Sequence, residues 1–145
     1  MKIYIAGASA EIERCEAFRD AAVALGYELS ADWCAAIRAC NGLANVGLDD
    51  DHRRAAEDLA TSGVAACELF VLLLPGFIPS AFGAGGKPTR IHTIGAWMEL
   101  QQALRQEHEI LLVGECPERT VFTVDLECIA TDAEALMWMR GRLKR

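Results

Sequence analysis

Glu99 has the surroundings best suited to chemistry. It lies in the stretch GAWMELQQAL, two residues after Trp97 and among Ala96, Met98 and Leu100. The periodicity after Thr93 puts it on the second turn of a helix, where the positive end of the helix dipole favours an ionised carboxylate. Gly95 stands one turn earlier on the same face, and its missing side chain lets a ligand approach the backbone. A carboxylate in a partly apolar pocket beside free helix amides is suited to nucleophilic attack on an electrophilic carbon. The same pattern also fits an exposed helix glutamate with only Arg105 for a neighbour.

Other residues could serve such a centre. Lys87, Arg90 and His92 place positive charge just before the Glu99 helix. That group suits a phosphate, and it equally suits a solvated loop. His92 can donate a proton to a leaving group or simply cap the helix. Gly7 ends the first apolar stretch, where the absence of a Cβ lets backbone amides face an anion or a sugar hydroxyl; an ordinary tight turn needs the same residue. Asp32 and Trp33 follow a second short apolar stretch, and Trp33 offers a ring on which a base can stack, or a half-buried turn residue. Asp49, Asp50, Asp51 and His52 precede an Ala-rich helix and read as a solvated N-terminus, with no second ligand cluster to make a metal site. Asp58 on that helix reads, by itself, as a surface acid. The cysteines at 15, 34, 40, 67, 116 and 128 show neither CxxC nor zinc spacing and read as reduced, buried, small apolar residues.

The elements that must position these residues alternate between strand and helix. KIYIA (2–6) is a first strand, and a helix follows with Ser9 as its N-cap and Gly26 past its end. Residues 27–29 form a second strand, and about Asp50 to Cys67 a helix. Leu69 to Leu74 is a continuous apolar run typical of a strand buried on both faces. Pro75 and Gly76 stop it, and a long loop rich in Gly, Pro, Ser and Ala leads to the helix of Glu99, which runs to about Glu107 with Ile94, Trp97, Met98, Leu100 and Leu104 as its apolar residues. Such a loop, at the carboxyl end of a strand, lies where open parallel sheets hold ligands. Residues 110–113 are a further strand, 120–124 and 126–129 are short strand pieces, and Thr131 or Asp132 caps a last helix over 133–143. These elements predict a single domain over 1–145: an α/β three-layer sandwich whose mostly parallel five-stranded sheet has its strands in the order 2-1-3-4-5.

The chain has 145 residues, is 52% apolar and carries a net charge of −7. That length and apolar content support a buried core. The negative charge argues against a polymeric nucleic acid as partner and leaves a small nucleoside or nucleotide plausible. No apolar run reaches membrane-spanning length, and MKIYIAGAS is too short for a signal peptide, so a cytoplasmic protein is expected. No GxGxxG fingerprint accompanies the first strand, which removes support for a dinucleotide cofactor.

In order and spacing, MKIYIAGAS, ELFVLLLPG and above all GAWMELQQAL followed by EILLVG resemble the nucleoside 2-deoxyribosyltransferase family, including the deoxynucleoside 5′-monophosphate N-glycosidases. The likeness covers most of residues 1–114, with Gly95, Glu99 and Leu100 standing at the Gly-x-x-x-Glu-Leu start of the family's helix. It implies a flavodoxin-like sheet, with Glu99 as the nucleophile that attacks the anomeric carbon of a deoxyribose and releases the base. It implies that Asp58 faces the sugar and pairs with Glu99, and that Ser80 meets phosphate or sugar. It also implies catalysis without cofactor or metal, and a homodimer or higher homo-oligomer, with Trp97 or the last helix at the contact. The chain departs from the family in a longer 75–93 loop, in Gln101 where Gly is frequent, and in its N-terminal tyrosine: Tyr4 falls inside a strand and receives no role. Glu68 stands at the amino end of its strand, opposite the crevice, and reads as structural. The alternative function is a non-catalytic nucleotide-binding or sequestering module on the same fold.

Overall fold

The computed structural model describes residues 1–39, 50–78, 89–90, 94–115 and 125–143. In chain order the elements are β1 (Lys2–Ala6), α1 (Ile12–Leu25), β2 (Glu28–Leu29), α2 (Trp33–Ala39), α3 (Asp50–Ala66), β3 (Leu69–Leu73), β4 (Phe77–Ile78), β5 (Thr89–Arg90), α4 (Ile94–Arg105), β6 (Glu109–Val113), β7 (Glu127–Ile129) and α5 (Asp132–Arg142). Strands β2-β1-β3-β6-β7 form one five-stranded parallel sheet in that order. This is the expected flavodoxin-like order, and the sheet is parallel throughout. β4 and β5 form a separate antiparallel ribbon, with Phe77 opposite Arg90 and Ile78 opposite Thr89.

The sheet is buried on both faces because its central strands are apolar at odd and even positions alike. Ile3, Ile5, Leu69, Val71, Leu73, Leu111 and Val113 point to one side, where Cys15, Phe18 and Ala22 of α1 and Ala135 and Met139 of α5 close over them. Tyr4, Ala6, Phe70, Leu72, Leu74, Ile110 and Leu112 point to the other, against Val64 of α3 and Ala96, Leu100 and Ala103 of α4. The period of two in the strands thus separates two cores, with helices on each side.

Helix ends follow local chemistry, with one correction. Gly26 ends α1 at φ +106°, the left-handed turn that a glycine makes at least cost. Thr131 caps α5: its hydroxyl accepts from the Glu134 amide at 3.2 Å and donates to the Glu134 carboxylate at 2.7 Å. Ser9 is not the cap of α1. Residues Ser9–Glu11 form a 3₁₀ turn, Glu11 takes the N-cap position of α1, and neither end carries a side-chain cap.

The apolar stripe of α4 also differs from expectation. Ala96, Leu100 and Ala103 are buried, whereas Ile94 and Met98 are 75% and 67% exposed and Trp97 is 38% exposed. The small residues face the sheet because a helix laid over the large side chains of β1 and β3 has little room there. The large residues are left outside. Glu68 accepts from the Lys2 amide at 2.6 Å at the amino end of the sheet, the structural role its position suggests. Strand pieces expected over 120–124, the segment 40–48 and the cap at Thr93 lie outside the described residues.

Candidate functional site

The buried stripe of α4 places Glu99 between Ala96 and Ala103, on the side that meets the sheet. Its carboxylate is therefore half-buried instead of solvated beside Arg105. Opposite it, β1 presents Tyr4, which shares the even-numbered face with Ala6. The Tyr4 hydroxyl donates to Glu99 Oε1 at 3.0 Å. A buried tyrosine needs a partner for its hydroxyl, and a buried carboxylate needs donors; each supplies the other.

The tyrosine is held on two sides. Its ring stacks on Phe70 of β3, centroids 5.7 Å apart with planes at 12°. Gly63 of α3 packs against it: a Cβ there would come within 2.8 Å of Tyr4 Cε2 and 2.5 Å of the Ala31 Cβ. A helix carrying any side chain at 63 would not fit this close to β1. Tyr4, Phe70 and Gly63, from three elements, thus fix where the hydroxyl points.

Burial governs the electrostatics. Removal from water pushes the Glu99 carboxyl up to about 7, and the Tyr4 hydrogen bond opposes that by favouring the anion. The Tyr4 phenol is driven far above its ordinary range, first by burial and then by the adjacent carboxylate charge and hydrogen bond. Tyr4 is therefore a neutral donor at every physiological pH, and Glu99 changes charge near neutrality. This combination holds one carboxylate oxygen, Oε1, in place, and among the described residues no hydrogen bond reaches Oε2.

The other predicted residues divide. Gly95 lies on the face of α4 that carries Glu99, and among the described residues a Cβ placed on it would meet nothing within 4 Å. Trp33 begins α2, half-buried, with its indole N–H donated to the Ile5 carbonyl at 2.6 Å. The donor anchors the ring to β1, and its Cζ2 lies 3.8 Å from where a Gly7 Cβ would stand. Gly7 has a packing reason of its own: a Cβ there would lie 2.6 Å from Cys15 Sγ. Asp32 and Trp33 together line a small cleft with Ile5, Arg19 and Cys34; the Asp32 carboxylate also accepts from the Ala35 amide at 3.0 Å as the cap of α2 and pairs with Arg19 at 3.1 Å.

Asp58 is exposed on α3, and among the described residues it forms no hydrogen bond or ion pair with Glu99. The partner of Glu99 is Tyr4 instead. α3 reaches α4 through the Thr61 carbonyl, which accepts from Gln102 Nε2 at 3.0 Å. Ser80, Lys87 and His92 lie outside the described residues. Arg90 lies on β5, of which the backbone pairing alone is described. Among the described residues no three or more His, Cys, Asp or Glu side chains cluster as a metal site, and no helix is long and apolar enough to cross a membrane.

Tyr4 was the residue that sequence reasoning passed over, although a signal was present. After Lys2 at its start, it is the one side chain with a polar tip in a strand otherwise made to be buried on both faces. Such a hydroxyl must find a partner, and an acid on a helix packed over that face is a natural one.

A concavity apart from Glu99 lies at the carboxyl ends of β3, β6 and β7, a cavity of about 220 Å³ lined by Arg14, Leu74, Pro75, Gly76, Gly114, Glu115 and Ala130. Gly114 adopts φ +127°, and a Cβ there would press on Leu74 Cβ at 3.1 Å, so a glycine is needed at this point of the crevice. A scan against protein-family models gives no match for this chain, and a search of curated proteins gives none either.

Proposed function

We propose that the protein cleaves or transfers at the N-glycosidic bond of a deoxyribonucleoside or its 5′-monophosphate, with Glu99 as nucleophile. The observation that carries this reading is the half-buried Glu99 carboxylate, with a pKa raised to about 7 and Tyr4 fixed on one oxygen at 3.0 Å. Ionised Glu99 attacks C1′ through its free oxygen. The O–C1′ bond forms, the C1′–N bond breaks, and its electron pair leaves on the base nitrogen, which takes up a proton. The covalent deoxyribosyl ester is then displaced at C1′ by water or by a second base. Hydrolysis and transfer thus differ only in the second acceptor. A buried carboxylate that meets no like charge among the described residues is the form of group such chemistry uses: reactive once ionised, and shielded from bulk water.

The reading includes a homo-oligomer, supported by the exposed Ile94, Trp97 and Met98 on α4. It also includes a reducing, cytoplasmic setting, supported by the buried thiols of Cys15, Cys34 and Cys67. Burial raises these thiols to about 12, 11 and 11, which keeps them protonated.

The test is free-base release, followed by chromatography, from a panel of deoxyribonucleosides and their 5′-monophosphates. Wild type is expected to release base from at least one member, and Glu99→Ala to lose at least about a thousandfold in rate. Binding without release by the wild type would instead identify a nucleotide-binding module.

A further inference from the structure

Glu11 occupies the N-cap position of α1, with φ −115° and ψ 34°, yet its carboxylate caps nothing on its own helix. Instead it crosses to the end of β3 and accepts the Gly76 amide with both oxygens, at 3.2 and 3.3 Å. Arg14, one turn along, works on the same spot. Its Nη1 donates to the Leu74 carbonyl at 2.8 Å, while Nε and Nη2 form a two-pronged bond to Asp132 at 2.9 and 2.6 Å. Glu11 and Arg14 themselves pair at 3.7 Å. The residue at 76 must be small for this to form: a Cβ on Gly76 would lie 3.0 Å from Glu11 Oε1. A donor and an acceptor from α1 thus grip the two peptide groups that flank Pro75. Asp132 at the start of α5 holds the guanidinium in its plane.

Gly76 is the residue from which the β4–β5 ribbon leaves the sheet. The ribbon pairs Phe77 with Arg90, and Ile94 opens α4 four residues later, five residues before Glu99. A strand exit held at Leu74 and Gly76 therefore sets the root of the ribbon, whose second strand ends four residues before the helix that carries the carboxylate. No other hydrogen bond of the Gly76 amide is needed to explain its fixed position, since the amide is already satisfied by a charged acceptor, a stronger bond than a neutral one.

We propose that Glu11 and Arg14 are positioning residues for the Glu99 site, clamping the exit of β3 so that the ribbon and the first turn of α4 present one fixed approach to substrate. This rests on the glycosidic reading of Glu99 for its consequence in kinetics, while the clamp itself has a direct physical readout.

The experiment joins the two. Amide hydrogen exchange at Gly76 is followed by NMR in wild type, Glu11→Ala, Glu11→Gln and Glu16→Ala, and base release is measured on the same proteins. Glu16→Ala, on α1, breaks an ion pair to Arg38 of α2 without touching β3 and serves as the control. Glu11→Ala is expected to speed Gly76 exchange about tenfold or more. It is expected to raise KM about fivefold or more with kcat within about threefold, because ground-state placement is lost and the nucleophile is kept. Glu11→Gln retains an acceptor and is expected to recover most of the protection. Arg14→Lys, which keeps the charge and loses the fork, is expected to raise KM in the same direction. Unchanged Gly76 exchange in Glu11→Ala overturns the clamp. An equal KM rise in Glu16→Ala, or a fall in kcat with KM unmoved, overturns the positioning role. If wild type releases no base from any substrate, the glycosidic reading fails and the exchange rates alone decide whether the clamp exists.

Discussion

Glu99 and Tyr4 form a pair in which each explains the other's charge state. Burial costs the carboxylate its water, and the phenol returns part of that loss as one hydrogen bond. Removing the hydroxyl should therefore make the anion harder to form. Tyr4→Phe is expected to lift the Glu99 titration upward by about one unit from its position near 7. In a pH–rate profile the rising limb of base release, which follows the ionised nucleophile, should move to higher pH by the same amount. Carbon NMR of the labelled side-chain carboxyl gives an independent check. A downward or absent shift would mean that the hydrogen bond does not govern the group.

Three elements converge on that pair, and their close approach depends on what is missing from α3. Gly63 lets the helix backbone come down on β1 beside Tyr4 and Ala31. Gly63→Ala is expected to cost roughly 2 kcal/mol of stability from overpacking. It is also expected to slow base release, because Tyr4 is pushed from its seat against Phe70. Thermal unfolding and the tyrosine ring signals would report the two effects separately. The element scale also shows what could be read beforehand. The strands of the sheet were legible because they alternate between two buried faces, and the helix of Glu99 because its length and flanks are clear. The phase of α4 was not legible: Ile94, Trp97 and Met98 outweigh Ala96 and Ala103 in hydrophobicity, yet the alanines are inside. Bulk at the sheet surface, which no helix sequence records about its partner, decided which face turned inward. The Tyr4–Glu99 contact joins residues 95 positions apart and was hidden for the same reason. The expectation that Asp58 stands beside Glu99 came from likeness alone, and the exposed side of α3 is where it sits.

At the scale of the whole molecule, a carboxylate buried for chemistry weakens the fold that holds it. In the unfolded chain Glu99 titrates near 4.5, and in the folded protein near 7. Below 4.5 it is protonated in both states and burial costs no charge. As the pH rises from 4.5 to 7 the unfolded chain sheds the proton first, so folding loses free energy; above 7 the loss is complete, up to about 3 kcal/mol. Glu99→Gln is isosteric and keeps an acceptor for Tyr4, but has no charge to bury. It is expected to exceed wild type in stability at pH 8 by about 2–3 kcal/mol more than it does at pH 4. Denaturant melts at the two pH values measure this, and an equal difference at both would show that Glu99 is not the group responsible. Stability and reactivity are opposed at this position, as they commonly are where a protein holds a functional charge out of water.

The docking of α5 has a consequence for how the chain acquires its shape. Tyr27, just after α1, donates its hydroxyl to the Met139 carbonyl at 2.9 Å, and Arg14 of α1 grips Asp132 at the other end of the same helix. Glu109 of β6 pairs with Arg142. α1, made before the other described helices, is therefore completed by α5, which is made after them. While a ribosome still encloses residues 132–142, the apolar side of α1 and one face of the sheet have no cover. Closure of this core must wait until α5 has left the ribosome, and the nascent protein spends that interval with Phe18, Ala22 and the odd-numbered strand residues within reach of chaperones.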